Sequence, residues 1–565
     1  DGADCRGMLP ALGNEASATL RGEVLHRAVS ADRWCVTLQD LRHLYGCART
    51  GVRNGWLLPT AEDPFDVDDL SIGPSIYTLT EQLIKPVTLA AGGMSWALMR
   101  HPEGLPCHIF VTHAWKEGIF EFAQKVMGSW PFEAKHAWCC MLANPQNLDI
   151  ERLISNPRAS PFAVALTASK YVLVVPNAQQ SVYSRLWCVY EAFLAFQHEK
   201  IILTAAAPSP RRKIASALVT AGFFVLGGLV NFFLPEHLQV CVSFRRLVIL
   251  CCACILFSSS VAIPSCRSAA NTTAAFLAGM FAVSAEAPAQ LNGYFHGHYK
   301  VVSSVFWSMM GCCMILAEVD QLDKQSVKVS RHQLQSGYTG SSRQACCTQQ
   351  EDSDRIWREI GPRANVVDDT IAVLLKAGMS TRSLRRASRA GVDVKDAGDA
   401  DHATILFFTS LHLGRMSICL VFLRSWRAWV LAFLWFGSVV GTLAVYVTSQ
   451  KDGRAYMCKM VKKVTMLDLL QVMFTKCAGL HFVTNVAISL PFGTASAFIT
   501  LILSVAGLDG VATLPGGPHL AKLLLLEIRA DLRCFALPVA VLGSSCQGDM
   551  EPFGDSSGDS GSDTS

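Results

Sequence analysis

Arg185-Leu186-Trp187-Cys188-Val189-Tyr190-Glu191-Ala192, the middle of a run from Ser181 to His198, is the stretch that decides how this chain is read. On a helix, Trp187 and Glu191 stand four residues apart and Cys188 and Glu191 three apart, which puts an indole, a thiol and a carboxylate on one face. A single acid held beside a large aromatic ring is a chemical arrangement as well as a packing one. Upstream of it the sequence has the short strands and helices of an α/β domain. Downstream it turns into long apolar segments.

From Cys107 to Ala205 strand and helix patterns alternate. Cys107 to Thr112, His136 to Leu142, Tyr171 to Val175 and Ile201 to Leu203 are apolar runs suited to buried strands. Gly118 to Met127 carries Ile119, Phe122, Ala123 and Val126 at helical spacing, Leu148 to Ile154 reads as a short helix, and Ser160 followed by Pro161 opens another. Strands apolar on both faces and separated by helices predict a parallel, flavodoxin-like sheet covered on both sides. Ligands of such sheets meet the carboxyl ends of the strands. That rule gathers Thr112-His113-Ala114-Trp115, the Asn144 turn, Pro176-Asn177 and the start of the Trp187 helix around one crevice. Residues 72–106 read as an extension packed on this domain, with a helix from Thr78 that Pro86 stops, and residues 1–71 give no clear fold.

Two motifs carry a resemblance. Phe110-Val111-Thr112-His113-Ala114-Trp115 resembles the opening strand of Toll/interleukin receptor (TIR) domains, and Trp187-Cys188-Val189-Tyr190-Glu191 is similar to the W-C-x-x-E of their third helix. The likeness covers residues 107–207. It implies a TIR-like α/β domain that works in signal transduction through contacts with its own kind. A subset of that family cleaves NAD between nicotinamide and ribose and needs the glutamate of W-C-x-x-E, which implies Glu191 as the catalytic residue and NAD as the candidate substrate. The chemistry is sound on general grounds: a neutral nicotinamide leaves an oxocarbenium-like ribose, which a fixed carboxylate stabilises. Trp187 is placed to stack on a ring, His113 and Trp115 stand at the strand end, and Ser184 and Arg185 precede a helix N-terminus suited to phosphate. A full TIR domain continues past its fourth strand, whereas here Pro208-Ser209-Pro210-Arg211-Arg212-Lys213 leads into an apolar segment. The sheet is therefore expected to be one strand short unless the upstream extension fills the place.

The totals agree with a membrane half. The chain has 565 residues, 51% of them hydrophobic, a net charge of +4 and a mean hydropathy of +0.31, above ordinary soluble usage. Its basic residues cluster around apolar segments and form no stripe with aromatics, which argues against nucleic acid as a partner. The 21 cysteines fall partly as doublets and partly inside apolar runs. That is the pattern of buried, reduced thiols, and no metal or resident cofactor is expected. Cys346 and Cys347, between apolar segments, are candidates for acylation. The chain opens on Asp1 and shows no signal peptide, which reads as a fragment or a processed form.

Ile214 to Leu234 holds no charge over a length that spans a bilayer. Leu247 to Ile263, Ala269 to Ala285 and Val301 to Ala317 are further candidates, giving about four spans over residues 214–317. His402 to Leu423, Ala428 to Thr448 and Ala478 to Leu508 give three or four over 402–508. Arg415 in one of them marks a pore, a partner acid or a snorkelling side chain. Cys458 to Lys476 has the pattern of a helix on the membrane surface. Residues 318–401 read as a cytoplasmic, partly disordered loop and residues 543–565 as a disordered acidic tail. The lysines and arginines near the spans place the TIR-like domain in the cytoplasm by the positive-inside rule.

The expectation is thus a multi-pass membrane protein, with the lipid bilayer and like domains as its partners, signalling through self-association of its TIR-like domain. The alternatives are NAD hydrolysis by that domain, and a channel or transporter that the α/β domain regulates.

Overall fold

The computed structural model describes residues 15–233, 264–283, 293–347, 349–399, 401–422, 426–477 and 510–525. Within them, helices dominate and six strands form one mixed sheet: β1 (Val36–Thr37), β2 (Ile109–Thr112), β3 (His136–Cys139), β4 (Tyr171–Val174), β5 (Ile201–Thr204) and β6 (Met379–Ser380). The order across the sheet is β1-β3-β2-β4-β5-β6. The inner four strands are parallel, with Ile109 beside both Ala137 and Tyr171, and Tyr171 beside Ile201. Their side chains are buried on both faces because helices cover both. Phe110 and Trp138, neither exposed, stack at 5.0 Å between ring centres across β2 and β3.

The two outer strands are antiparallel, β1 placing Val36 beside Ala137 and β6 placing Met379 beside Leu203. The sheet expected to lack a strand is therefore closed beyond β5 by a segment more than 170 residues downstream. Each outer strand is two residues long, too short for a period-2 signal in the sequence.

Residues 318–401, expected as a partly disordered loop, are largely helical. One helix, Gly293–Gln335, runs through Glu318 and ends with Leu334 fully buried in the core of the α/β domain. Gln350–Ile360 and Ala364–Ala377 follow, and their Ile356, Ile360, Val367, Ile371 and Leu374 enter the same core. These apolar positions are few among Gln, Ser and charged residues, and helical spacing alone makes them a face. Pro86 does not stop its helix either. A π turn at Thr80–Ile84 precedes Lys85–Ala90, so the proline sits in a first turn, where its missing N–H costs little.

Two helices, Pro210–Phe233 and Val301–Gln335, are long and apolar enough to cross a membrane. Pro264–Val283, His402–Phe422 and Trp426–Thr448 are also helical. Leu247 to Ile263, Ala478 to Leu508, residues 543–565 and the side chain of Arg415 lie outside the described residues. Pro210–Phe233 and Pro264–Val283 meet backbone to backbone. A Cβ on Gly279 would lie 1.8 Å from the Phe224 carbonyl oxygen, and one on Gly227 2.0 Å from that of Phe276, so only glycine fits either place. The helix Lys451–Cys477, which contains the Cys458 to Lys476 stretch expected on a membrane surface, packs Met457, Cys458 and Val461 on Ile405 and Phe408. Among the described cysteines most are free, Cys35, Cys107, Cys139, Cys140 and Cys188 being buried, while Cys47 is disulfide-bonded.

Candidate functional site

β2 ends at Thr112, and the chain then turns through His113, Ala114 and Trp115 before the helix Ile119–Gly128. The Leu186–Gln197 helix begins beside this turn and is tied to it, Arg185 Nη1 donating to the His113 carbonyl at 3.2 Å and the Cys188 thiol to the same oxygen at 3.6 Å. These elements line a cavity of about 560 Å³, within the range of small-molecule sites. Of the residues singled out in the sequence, Glu191, Trp187, His113, Trp115 and Arg185 all line it. Ser184 does not: its hydroxyl donates to the Ser181 carbonyl at 2.7 Å and accepts from Gln180 at 3.0 Å.

Glu191 is 5% exposed, and its Oε2 makes no hydrogen bond. Burial pushes its carboxyl up to about 8, against the opposing pull of the Thr112 hydroxyl and the Arg185 guanidinium. At neutral pH Glu191 is therefore mostly the neutral acid. The indole of Trp187 stacks on Phe162 at 5.5 Å, and Trp115 meets Tyr77 at 5.2 Å, so two pairs of rings flank the carboxyl.

His113 is buried and neutral, burial and then Arg185 lowering its value to about 3. Its Nε2 lies 3.0 Å from the Cys140 sulfur, and its Nδ1 lies 3.1 Å from Glu117 Oε1 without hydrogen-bond geometry. Burial and the nearby Glu121 raise Glu117 well above the usual carboxylate range. The Cys140 thiol is pushed up to about 12 by burial, with Glu191 adding to the effect. A thiol so raised beside a neutral imidazole is no activated nucleophile. Among the described residues no group of three His, Cys, Asp or Glu is placed to hold a metal ion.

The far wall comes from a segment that local sequence signals did not reveal. Backbone bonds strap it to the Trp187 helix, Leu186 N–H donating to the Cys346 carbonyl at 2.9 Å and Cys346 N–H to that of Ser184 at 2.9 Å. Cys347, Gln349, Asp352 and Arg355 then line the cavity, and Gln349 donates to Glu151 at 2.8 Å across it. The strap takes the first donor of the Leu186–Gln197 helix. The phosphate site expected at that terminus is correspondingly reduced, and Arg185 and Arg355 are the cations that line the cavity. Cys346, a candidate for acylation, is exposed in this strap, while Cys347 faces the site.

No family model matches this chain, and neither a curated protein nor a solved structure does.

Proposed function

We propose that this chain is a multi-pass membrane protein whose TIR-like domain binds NAD in the Glu191 cavity and hydrolyses the bond between nicotinamide and ribose. The observation that carries this reading is the convergence of the W-C-x-x-E glutamate, buried with an unpartnered oxygen, with Trp187, His113, Trp115 and Arg185 on one cavity. The strand order β3-β2-β4-β5 supports a flavodoxin-like core. Apolar side chains exposed along Pro210–Phe233 and Trp426–Thr448, among them Leu218, Phe233, Phe433 and Val447, support burial in lipid. In the reaction the C–N bond breaks with its electron pair leaving on the nicotinamide nitrogen, water adds to the ribose carbon, and Glu191 accepts the proton that water loses. A cationic pyridinium ring beside Glu191 favours the carboxylate over the acid. The activity of the free protein therefore rises with pH toward about 8 and then levels.

A second reading keeps signalling through self-association with no chemistry. The far wall favours it, because Glu151, Glu351 and Asp352 line the cavity and oppose a pyrophosphate. The channel or transporter reading has less support. Among the described residues, charged groups of the membrane-side helices pair, Lys324 with Asp401 at 3.1 Å and Asp320 with His402 at 3.0 Å, which lends a conducting path little support. The test is thermal unfolding of the full chain with millimolar NAD. The catalytic reading expects a rise in Tm that Trp187→Ala and Arg185→Ala abolish. No shift in the wild-type protein, with self-association intact, selects the second reading.

A further inference from the structure

Among the described residues, one large apolar side chain stands wholly outside every packed surface. Phe132, in the turn between the helix Ile119–Gly128 and β3, is 104% exposed, although its neighbours Trp130 and Ala134 pack on the core. The turn itself is well held, with Trp130 Nε1 donating to the Ala134 carbonyl at 2.8 Å. A rigid loop that presents a ring to water loses the hydrophobic gain of burying it, and an interfacial membrane layer is one setting that restores this gain.

Where the loop stands supplies the partner. Its first residue, Ser129, exchanges hydrogen bonds with Ala206, at 3.3 and 2.9 Å, and a Cβ on Gly128 would lie 2.8 Å from the Pro208 ring. Two residues later Pro210 opens the first apolar helix, whose Arg211 and Arg212 are exposed. Hydrogen bonds from Lys170 and Tyr171, and more weakly the charge of Arg454, hold the exposed Glu133 carboxyl below its usual range. Arg454 caps the end of the apolar helix Trp426–Thr448, donating to the Tyr446 and Val447 carbonyls at 3.0 and 2.7 Å. The loop thus sits beside the start of the first apolar helix. Its own acid, Glu133, is neutralised by Lys170 at 2.5 Å, and Lys135 is exposed beside it.

The geometry points to Phe132 as a membrane anchor: the Ser129–Lys135 loop dips this ring into the lipid interface beside the first apolar helix. It thereby ties the sheet, through the Ser129–Ala206 bonds, to the bilayer surface where the first apolar helix begins. The inference rests on the membrane reading. Its partner is the lipid surface of the same membrane, recognised by an aromatic ring flanked by Lys135, Arg211 and Arg212.

The experiment uses the full chain in nanodiscs of phosphatidylcholine and phosphatidylserine. A solvatochromic amino acid replaces Phe132 in one protein and the outward-facing Leu218 in another, and quenching by brominated lipids is read for each. The inference expects blue-shifted, quenched emission at both, strongest at position 132 when the bromines lie near the headgroups. Quenching at 218 with water-like, unquenched emission at 132 overturns the anchor and leaves the membrane reading standing. Unquenched emission at both positions removes the membrane reading and the anchor with it.

Discussion

Glu191→Gln is expected to make the protein more stable, and the gain is expected to grow with pH. Burial raises the folded carboxyl to about 8 from its ordinary value of 4.5. The unfolded chain therefore ionises first as pH rises. Below pH 4.5 the residue is neutral in both states and the substitution changes little. Between there and about pH 8 the folded state loses stability relative to the unfolded one, by about 1.4 kcal/mol for each pH unit. Above about 8 both states are ionised and the penalty is constant. Glutamine keeps the shape and removes the penalty, so the gain is on the order of 4–5 kcal/mol at pH 8. Denaturant unfolding at pH 5 and pH 8 measures it. A variant that tracks the wild type at both values means that Glu191 is solvated, and the cavity would lose its most reactive group.

The second large effect is expected at Lys125. Its ammonium is almost fully buried and uses all three donors, reaching Glu121 Oε1 at 2.7 Å, the Pro176 carbonyl at 2.5 Å and Gln333 Oε1 at 2.7 Å. Pro176 follows β4, and Gln333 belongs to the last turns of Gly293–Gln335, so one side chain pins that helix to the top of the sheet. Lys125→Met strands the Glu121 carboxylate and two further acceptors, at a cost of about 3–5 kcal/mol. Removing the acid as well, in Lys125→Met with Glu121→Leu, is expected to restore most of the loss, because apolar replacement of a whole buried pair is nearly neutral. Equal stability of the single and double variants contradicts this account of the network.

The central sheet and half of the cavity were readable because their signals are local. Four apolar runs of three to seven residues announce β2 to β5, and Trp187 and Glu191 declare their shared face by spacing alone. The other half was hidden by distance in the chain. Asp352 and Arg355 reach the cavity through the Cys346 strap, and nothing in a Ser- and Gln-rich stretch signals a backbone pairing with residues some 160 positions earlier. The same holds for β1 and β6, whose pairing lies in tertiary contact and not in pattern. Ser184 misled for a different reason. Its position before the helix is right for an anion, but its hydroxyl is already bound within its own turn.

The most direct test of the central proposal is nicotinamide release from NAD by the full chain, reconstituted at high density in vesicles, beside Glu191→Gln. The account predicts release by the wild-type protein, rising with pH toward 8, and a loss of about 100-fold or more in the variant. No release by a folded wild-type protein, or equal release by both, contradicts it.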